Sequence, residues 1–281
     1  NSDQPSVYVI THALLDLKAQ QRRGATLLRQ SESAGRITRK AKTWERYIRR
    51  LLAAAGGVSG AGRRQAAPPL SPVREQFVLP RAARRDRRFT HLHADLAAMP
   101  AEEDYRDHTT TEFTRYSTEM LAAETVAHVL YTLPKMPWEF QFDAARHLYD
   151  EVRHCLMGFE WMRTHRLNPF ASPQYLHVYR WRSQFPPVMQ YCLLTMENGV
   201  NAFPYRHGRV DAHQRAGDAL SEQFVRYDIA DETQHVRFGK RWLPELLKHV
   251  GEKRPLEKYV KDVLKVWESE YRTGKLTVNV E

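Results

Sequence analysis

Two short strings of this chain share one pattern: Asp150-Glu151-Val152-Arg153-His154 and Asp231-Glu232-Thr233-Gln234-His235. Each reads Asp-Glu-x-x-His inside a segment of helical periodicity. A glutamate and a histidine three positions apart lie on one helix face, so a single metal ion can rest against both. Carboxylate oxygen with imidazole nitrogen is a donor set for iron or manganese. The bare Glu-x-x-His pair is weak evidence, because 20 Glu and 13 His in 281 residues give roughly one by chance. Requiring Asp ahead of the Glu lowers the expectation to ~0.04 per chain, and two copies to roughly one in a thousand. The surrounding strings LYDEVRHCLMGF and IADETQHVRFG set the polar groups among apolar ones, which argues for burial rather than a solvated face.

The elements that must position these residues are helical. Periodicity predicts a first helix from Thr109 to Leu133, ended by Pro134 and Pro137, and a second from Trp138 to about Arg166. The short link makes them antiparallel neighbours. A longer connection, 167–186, carries Pro169, Pro173 and Pro186. Pro187 opens a third helix running to Phe203, where Pro204 stops it. A fourth runs from about His213 to Leu243, before Pro244, and a fifth spans about 255–272. Strand-like alternation is confined to the tail 276–280. The fold class expected is all-α: a four-helix bundle with one long crossover between its hairpins, a basic N-terminal extension and a C-terminal helix.

A two-metal site in such a bundle needs a carboxylate from each remaining helix. On the third helix Glu197 is the sole acidic residue between Pro187 and Phe203. The first helix offers Glu112, Glu119 and Glu124. Antiparallel register places a residue level with 151–154 about 16–18 positions before the hairpin midpoint, which selects Glu119 and leaves Glu124, about 6 Å too near the turn, as fallback. The same register test on Glu197 puts the midpoint near 215, beyond Pro204. Either the third helix resumes after that proline or a short cross-helix fills 204–212. Asp228, one turn before Glu232, is a further candidate ligand or proton relay, with an ion-paired role favoured. His128, Trp181, Tyr191 and Tyr227 read first as packing residues.

Composition bounds the rest. No run approaches ~18 uninterrupted apolar residues, so no membrane span is expected. Cys155 and Cys192 are too few for a disulfide scaffold or a cysteine zinc site, and read as small core residues of a cytoplasmic protein. The net charge of +10 is uneven: residues 1–90 hold 19 Lys and Arg against 6 Asp and Glu. The expected division is therefore a basic extension, 1–90, and a body, 91–281. Within the extension, 36–54 reads as a basic helix and about 55–75 as a linker. The arginine-rich run 78–89 suits either a nucleic-acid surface or an arm whose arginines pair with carboxylates of the body, the latter favoured for want of interleaved aromatics.

The set Glu119, Glu151-x-x-His154, Glu197, Glu232-x-x-His235 resembles the ferritin-like di-iron carboxylate superfamily. More narrowly, TEMLAAETVAHVL with its following DEVRH, and GDALSEQFVRYDIADETQHVRFGKRWL, resemble an uncharacterised bacterial ferritin-like family related to the tRNA-hydroxylase branch. The resemblance covers about 105–245. It implies that Glu151 and Glu232 bridge two metals, with Glu119 and His154 completing one and Glu197 and His235 the other. It also implies that Asp150 and Asp231 each hold the histidine of the opposite helix pair. The cofactors implied are two iron ions, with manganese admitted by the ligand types. The expected activity is that of a non-haem di-iron oxidase or oxygenase that activates dioxygen to hydroxylate, N-oxygenate, desaturate or cleave a small or carrier-bound organic substrate, fed by an electron donor. Ferroxidase or iron-handling activity, a di-manganese catalase and a metal-free basic binding module are the alternatives. Nucleic acid on the extension and a homodimer are the further partners considered.

Overall fold

The computed structural model describes residues 3–69, 83–94, 99–198 and 202–271. The chain divides into two compact units, Asn1–Arg81 and Ala82–Glu281. Among the described residues, the first holds two helices, α1 (Gln4–Ser33) and α2 (Arg39–Ala54). Asp3 caps α1 by accepting from the Ser6 amide at 3.2 Å, and Thr38 caps α2 by accepting from Ala41 at 3.2 Å. The basic helix expected over 36–54 is α2. Sequence reading overlooked α1, whose apolar residues Val7, Ile10, Leu14 and Leu17 are exposed instead of forming a buried stripe. Beyond Ala54 the chain turns through Gly56 and Gly57, both at left-handed φ (88° and 87°), into the expected linker. The end of that linker lies outside the described residues.

The second unit is almost wholly helical. A two-residue strand, β1 (His91–Leu92), pairs in parallel with β2 (Gln174–Tyr175) and ties the unit's start to the crossover. The helices are α3 (Tyr105–Arg115), α4 (Glu119–Thr132), α5 (Trp138–Thr164), α6 (His177–Arg182), α7 (Pro187–Cys192), α8 (Phe203–Ala216), α9 (Ala219–His249) and α10 (Leu256–Val266). Between α3 and α4 lies one 3₁₀ turn, Tyr116–Thr118. A π-helical turn, Leu193–Asn198, follows α7. Helix α4 packs on α5 and α7, and both of these pack on α9, so the four close a ring.

Several boundaries correct the sequence reading. The first helix is broken at Tyr116, where Gly158 of α5 lets the backbones approach; a Cβ there would stand 2.6 Å from Tyr116 Cβ. Pro204 does not end a helix but sits in the first turn of α8, where its missing N–H has no intrahelical partner to lose. Pro244 lies inside α9, which continues to His249 because Leu243, Leu246 and Leu247 are all buried in the core. The expected strand-like tail 276–280 lies outside the described residues. Among the described residues, no helix is long and apolar enough to cross a membrane.

Among the described residues the core has two apolar clusters. One gathers Val126, Phe140, Ala144, Tyr191, Trp242 and Leu243; the other gathers Phe113, Tyr116, Met157, Trp161 and Val225. Along α5 the inward stripe runs Phe140, Ala144, then His147, Asp150, Glu151 and His154, then Met157 and Trp161. Along α9 it runs Val225, then Asp228, Asp231, Glu232 and His235, then Trp242 and Leu243. For about two turns on each helix the buried face is polar, with apolar packing above and below.

Candidate metal centre

Both Asp-Glu-x-x-His strings fall in that polar layer, and the Asp, Glu and His of each are buried; His154 is 0% exposed and His235 1%. Burying carboxylates and imidazoles is costly unless each finds a partner or an ion. The partners are arranged crosswise. His154 of α5 lies with Nε2 3.1 Å from Asp231 Oδ2 of α9. His235 of α9 lies with Nε2 3.5 Å from Asp150 Oδ2 of α5. Arg146 holds Asp150 at 2.8 Å, and Arg153 holds Asp231.

With Nε2 of each ring turned to an aspartate, the Nδ1 atoms face inward. His154 Nδ1 stands 3.4 Å from Glu151 Oε2. His235 Nδ1 stands 3.7 Å from Glu151 Oε1 and 3.6 Å from Glu232 Oε2. Both Nδ1 atoms and Glu151 Oε2 are buried without a hydrogen-bond partner. Two groups of donors, His147–Glu151–His235 and Glu151–His154–Glu232, each converge so that one atom per residue lies within 4.8 Å of the others. Glu151 belongs to both. Buried His and Glu donors aimed at one another, with orphaned nitrogens between, fit a metal ion.

The remaining sequence candidates are placed as follows. Glu119, the first residue of α4, lies close to the layer: burial, then Glu151, with Asp228 and Glu232 adding and His154 opposing, push its carboxyl up to about 8. Glu197 is buried in the π-helical turn. Neither joins the two tight groups. The fallback Glu124 is engaged elsewhere, gripped by both terminal nitrogens of Arg85 at 3.0 and 2.7 Å. That pair is also an instance of the arm's arginines meeting carboxylates of the body. Glu112 is taken by Arg209 at 2.8 Å. Asp228 is ion-paired, accepting from Arg206 at 2.6 Å and Tyr116 at 2.9 Å, while its Oδ1 lies 3.7 Å from His154 Nε2.

Three residues were missed. His147, one turn before Glu151 on the same stripe, lies with Nε2 3.0 Å from Glu151 Oε1. Its signal was available: the Glu-x-x-His motif extended one turn back reads His-x-x-x-Glu-x-x-His. Arg206 of α8 bridges Asp228 and Glu232, the latter at 3.2 Å. Arg182 of α6 is buried and donates to Thr125 at 3.1 Å. Burial lowers its guanidinium to about 10, against the opposing pull of Glu151, Glu119 and Glu197. These two arginines counter the carboxylates from the flanks, and because they come from α6 and α8, outside the four central helices, no spacing along α5 or α9 could reveal them.

The electrostatics show how strongly the layer seeks positive charge. Burial would lower His154, yet Asp228, Asp231 and Glu151 hold it well above its ordinary value. Burial likewise works against charge on His235, yet Asp150, Glu232 and Glu151 raise it to about 9. Glu151 is held well below the usual carboxylate value despite burial, because His147 hydrogen-bonds it and the imidazoles of His154 and His235 lie close by. Protons and a metal ion therefore compete for the same atoms. A cleft of about 570 Å³ lined by Pro187, Val188, Tyr259 and Val263 shares no residue with this layer. Compared with family models, with curated proteins and with solved structures, the chain matches none. The functional reading rests on this geometry.

Proposed function

We propose that the chain is a ferritin-like di-iron carboxylate oxidoreductase, which activates dioxygen to oxidise an organic substrate. The observation that carries the reading is Glu151, whose two oxygens each enter a separate convergent group of buried His and Glu donors. A carboxylate placed between two such groups suits a pair of ions. Glu151, His154, Glu232 and His235 would hold them, with Glu119 and Glu197 approaching from α4 and the π-helical turn.

A bound pair of ferrous ions supplies the electrons for reductive activation of dioxygen. The chain's own residues supply position and dryness. Asp231 fixes the ring of His154, and Asp150 lies 3.5 Å from Nε2 of His235; both carboxylates would make the Nδ1 atoms better metal donors. Arg206 pins Asp228 and one oxygen of Glu232, leaving Glu232 Oε2 toward His235. Tyr116 keeps its hydroxyl proton, because burial and the nearby Asp228 raise its pKa well above the usual value, and donates it to Asp228. The apolar clusters above and below exclude water, which protects a reactive centre from side reactions.

The test is elemental analysis of protein purified without chelators, beside Glu151→Ala and Glu232→Ala. About two irons per chain, lost in both variants, supports the centre, and turnover of organic substrates with reductant and dioxygen then supports the oxygenase. Iron that is oxidised and accumulates without substrate turnover points to iron handling. Two manganese ions move the reading to peroxide disproportionation. No metal, and none taken up anaerobically from ferrous salt, overturns it in favour of a basic binding module.

A further inference from the structure

The di-metal reading as drawn from the two motifs uses two histidines, one per motif. We propose that the centre has a third: His147, which binds the same ion as His235 and Glu151 and makes the two metal positions chemically unequal. This rests on the di-metal reading and goes beyond it.

His147 is 1% exposed, so nothing about it serves solvent. Its ring lies stacked on that of His235, centroids 3.8 Å apart and planes 24° from parallel. Stacking brings two nitrogens to one oxygen: His147 Nε2 is 3.0 Å and His235 Nδ1 3.7 Å from Glu151 Oε1. A single hydrogen bond from His147 to Glu151 leaves His235 Nδ1 facing that same oxygen with no partner. A cation between the three satisfies His147 Nε2, His235 Nδ1 and Glu151 Oε1 at once. The spacing suits this, because adjacent donors on one octahedral ion, each ~2.1 Å from it, stand ~3 Å apart.

The helix geometry agrees. Residues 147, 151 and 154 lie at i, i+4 and i+7, a single stripe of α5, so both oxygens of Glu151 have an imidazole beside them: His147 on one side and His154 on the other. The first position then gathers two imidazoles and a carboxylate. The second gathers one imidazole, His154, with Glu151 and Glu232, and Glu119 nearby. Nitrogen-rich sites favour later first-row metals more strongly than oxygen-rich ones. The two positions should fill in sequence, the two-histidine position first.

The experiment is an anaerobic titration of the metal-free full chain with cobalt(II), following visible absorption and hyperfine-shifted ring N–H signals by NMR. Wild type should take two cobalt ions in two resolved steps and show three shifted imidazole N–H signals. His147→Gln keeps volume and a donor to Glu151 but offers no imidazole. It should lose one shifted signal and weaken the first step by about tenfold or more. His147→Ala should do the same, and added imidazole should restore the lost step. If both variants keep two cobalt ions with wild-type affinity and spectrum, His147 only positions Glu151 and the proposal is overturned while the centre stands. If wild type takes up no cobalt, the proposal and the di-metal reading fall together. Far-UV circular dichroism and melting of His147→Gln confirm that the comparison is between folded proteins.

Discussion

His154 on α5 and Asp231 on α9 face each other at 3.1 Å, the Nε2 of the histidine on the carboxylate of the partner motif. Each motif thus completes the other: the aspartate of one string orients the histidine of the second. Asp231→Asn replaces a charged acceptor by an amide and leaves Arg153 with Asp150, at 3.5 Å, as its remaining carboxylate. Metal affinity should fall by about 10–100-fold, the usual cost of losing such support. Competition against a chelator of known affinity measures it. Unchanged affinity would show that the aspartate serves Arg153 alone.

Glu119 sets a pH dependence in the metal-free protein. Its carboxyl is raised from 4.5 to about 8 by burial and by Glu151, Asp228 and Glu232, so the folded chain holds a proton that the unfolded chain releases. A group of this kind contributes stability that is whole below about 4.5 and is lost as the pH climbs through 8. Relative to Glu119→Gln, wild-type unfolding free energy should fall across this window by at most ~1.4 kcal/mol per pH unit. Metal displaces that proton, so affinity should rise with pH over the same range and uptake should acidify a weakly buffered solution. A pH-independent difference between the two proteins overturns this assignment.

Arg206 neutralises buried charge that a metal would otherwise meet. Removing one partner of a buried pair costs about 3–5 kcal/mol, since the carboxylates stay behind unpaired. Arg206→Leu should destabilise the metal-free protein by that order in urea. The loaded protein should suffer less, because the ions take over part of the compensation at Glu232. Equal losses with and without metal would place Arg206 outside the electrostatics of the centre.

Cys155 and Cys192 give a simple check on packing. Both thiols are pushed up to about 12 by burial, with Glu119 adding to Cys155. The thiolate is the reactive form. Neither should react with a thiol reagent at pH 8 until the protein is unfolded, when two equivalents should appear at once. Reaction of the native protein at that pH would contradict the packing around α5 and α7.

Much of this was legible beforehand because helix periodicity and motif spacing are local properties. Both Asp-Glu-x-x-His strings and the α4–α5 hairpin follow from residues along one or two helices. The partners reached across the fold were not legible. Arg85 on Glu124, Arg206 on Asp228 and Arg182 on Thr125 are long-range pairings with no mark in local pattern. The prolines misled for a related reason. A proline forbids a helix behind it as an acceptor partner but welcomes one ahead, so Pro204 starts α8, and Pro244 is tolerated where three leucines anchor the helix. Helix α1 was overlooked because its apolar side chains are exposed, and burial is what makes periodicity readable.

The π-helical turn Leu193–Asn198 depends on Gly239 of α9. A Cβ at that position would overlap the Thr195 side chain and stand 3.3 Å from Met196 Sδ. Gly239→Ala should cost about 1–3 kcal/mol by overpacking and should lower metal occupancy as the turn is displaced. Calorimetry with metal analysis on the same sample separates the two effects. A variant of wild-type stability and occupancy would show that the turn yields freely.

That turn also makes the proposed donor set sensitive to how the chain winds. Val188, Tyr191 and Cys192 anchor α7 in the core, so the direction of Glu197 is set by the winding of the residues that follow them. A π-helical turn spends one residue more per hydrogen-bonded loop than an α-helical one. Relaxation of Leu193–Asn198 to ordinary helix, with no residue removed, would therefore turn Glu197 by about one residue's rotation, ~100°, around the axis. Glu197 would then leave the bundle interior although its side chain is unaltered. A proposed donor of the centre can thus be turned away by a change of winding that touches none of the other proposed ligands.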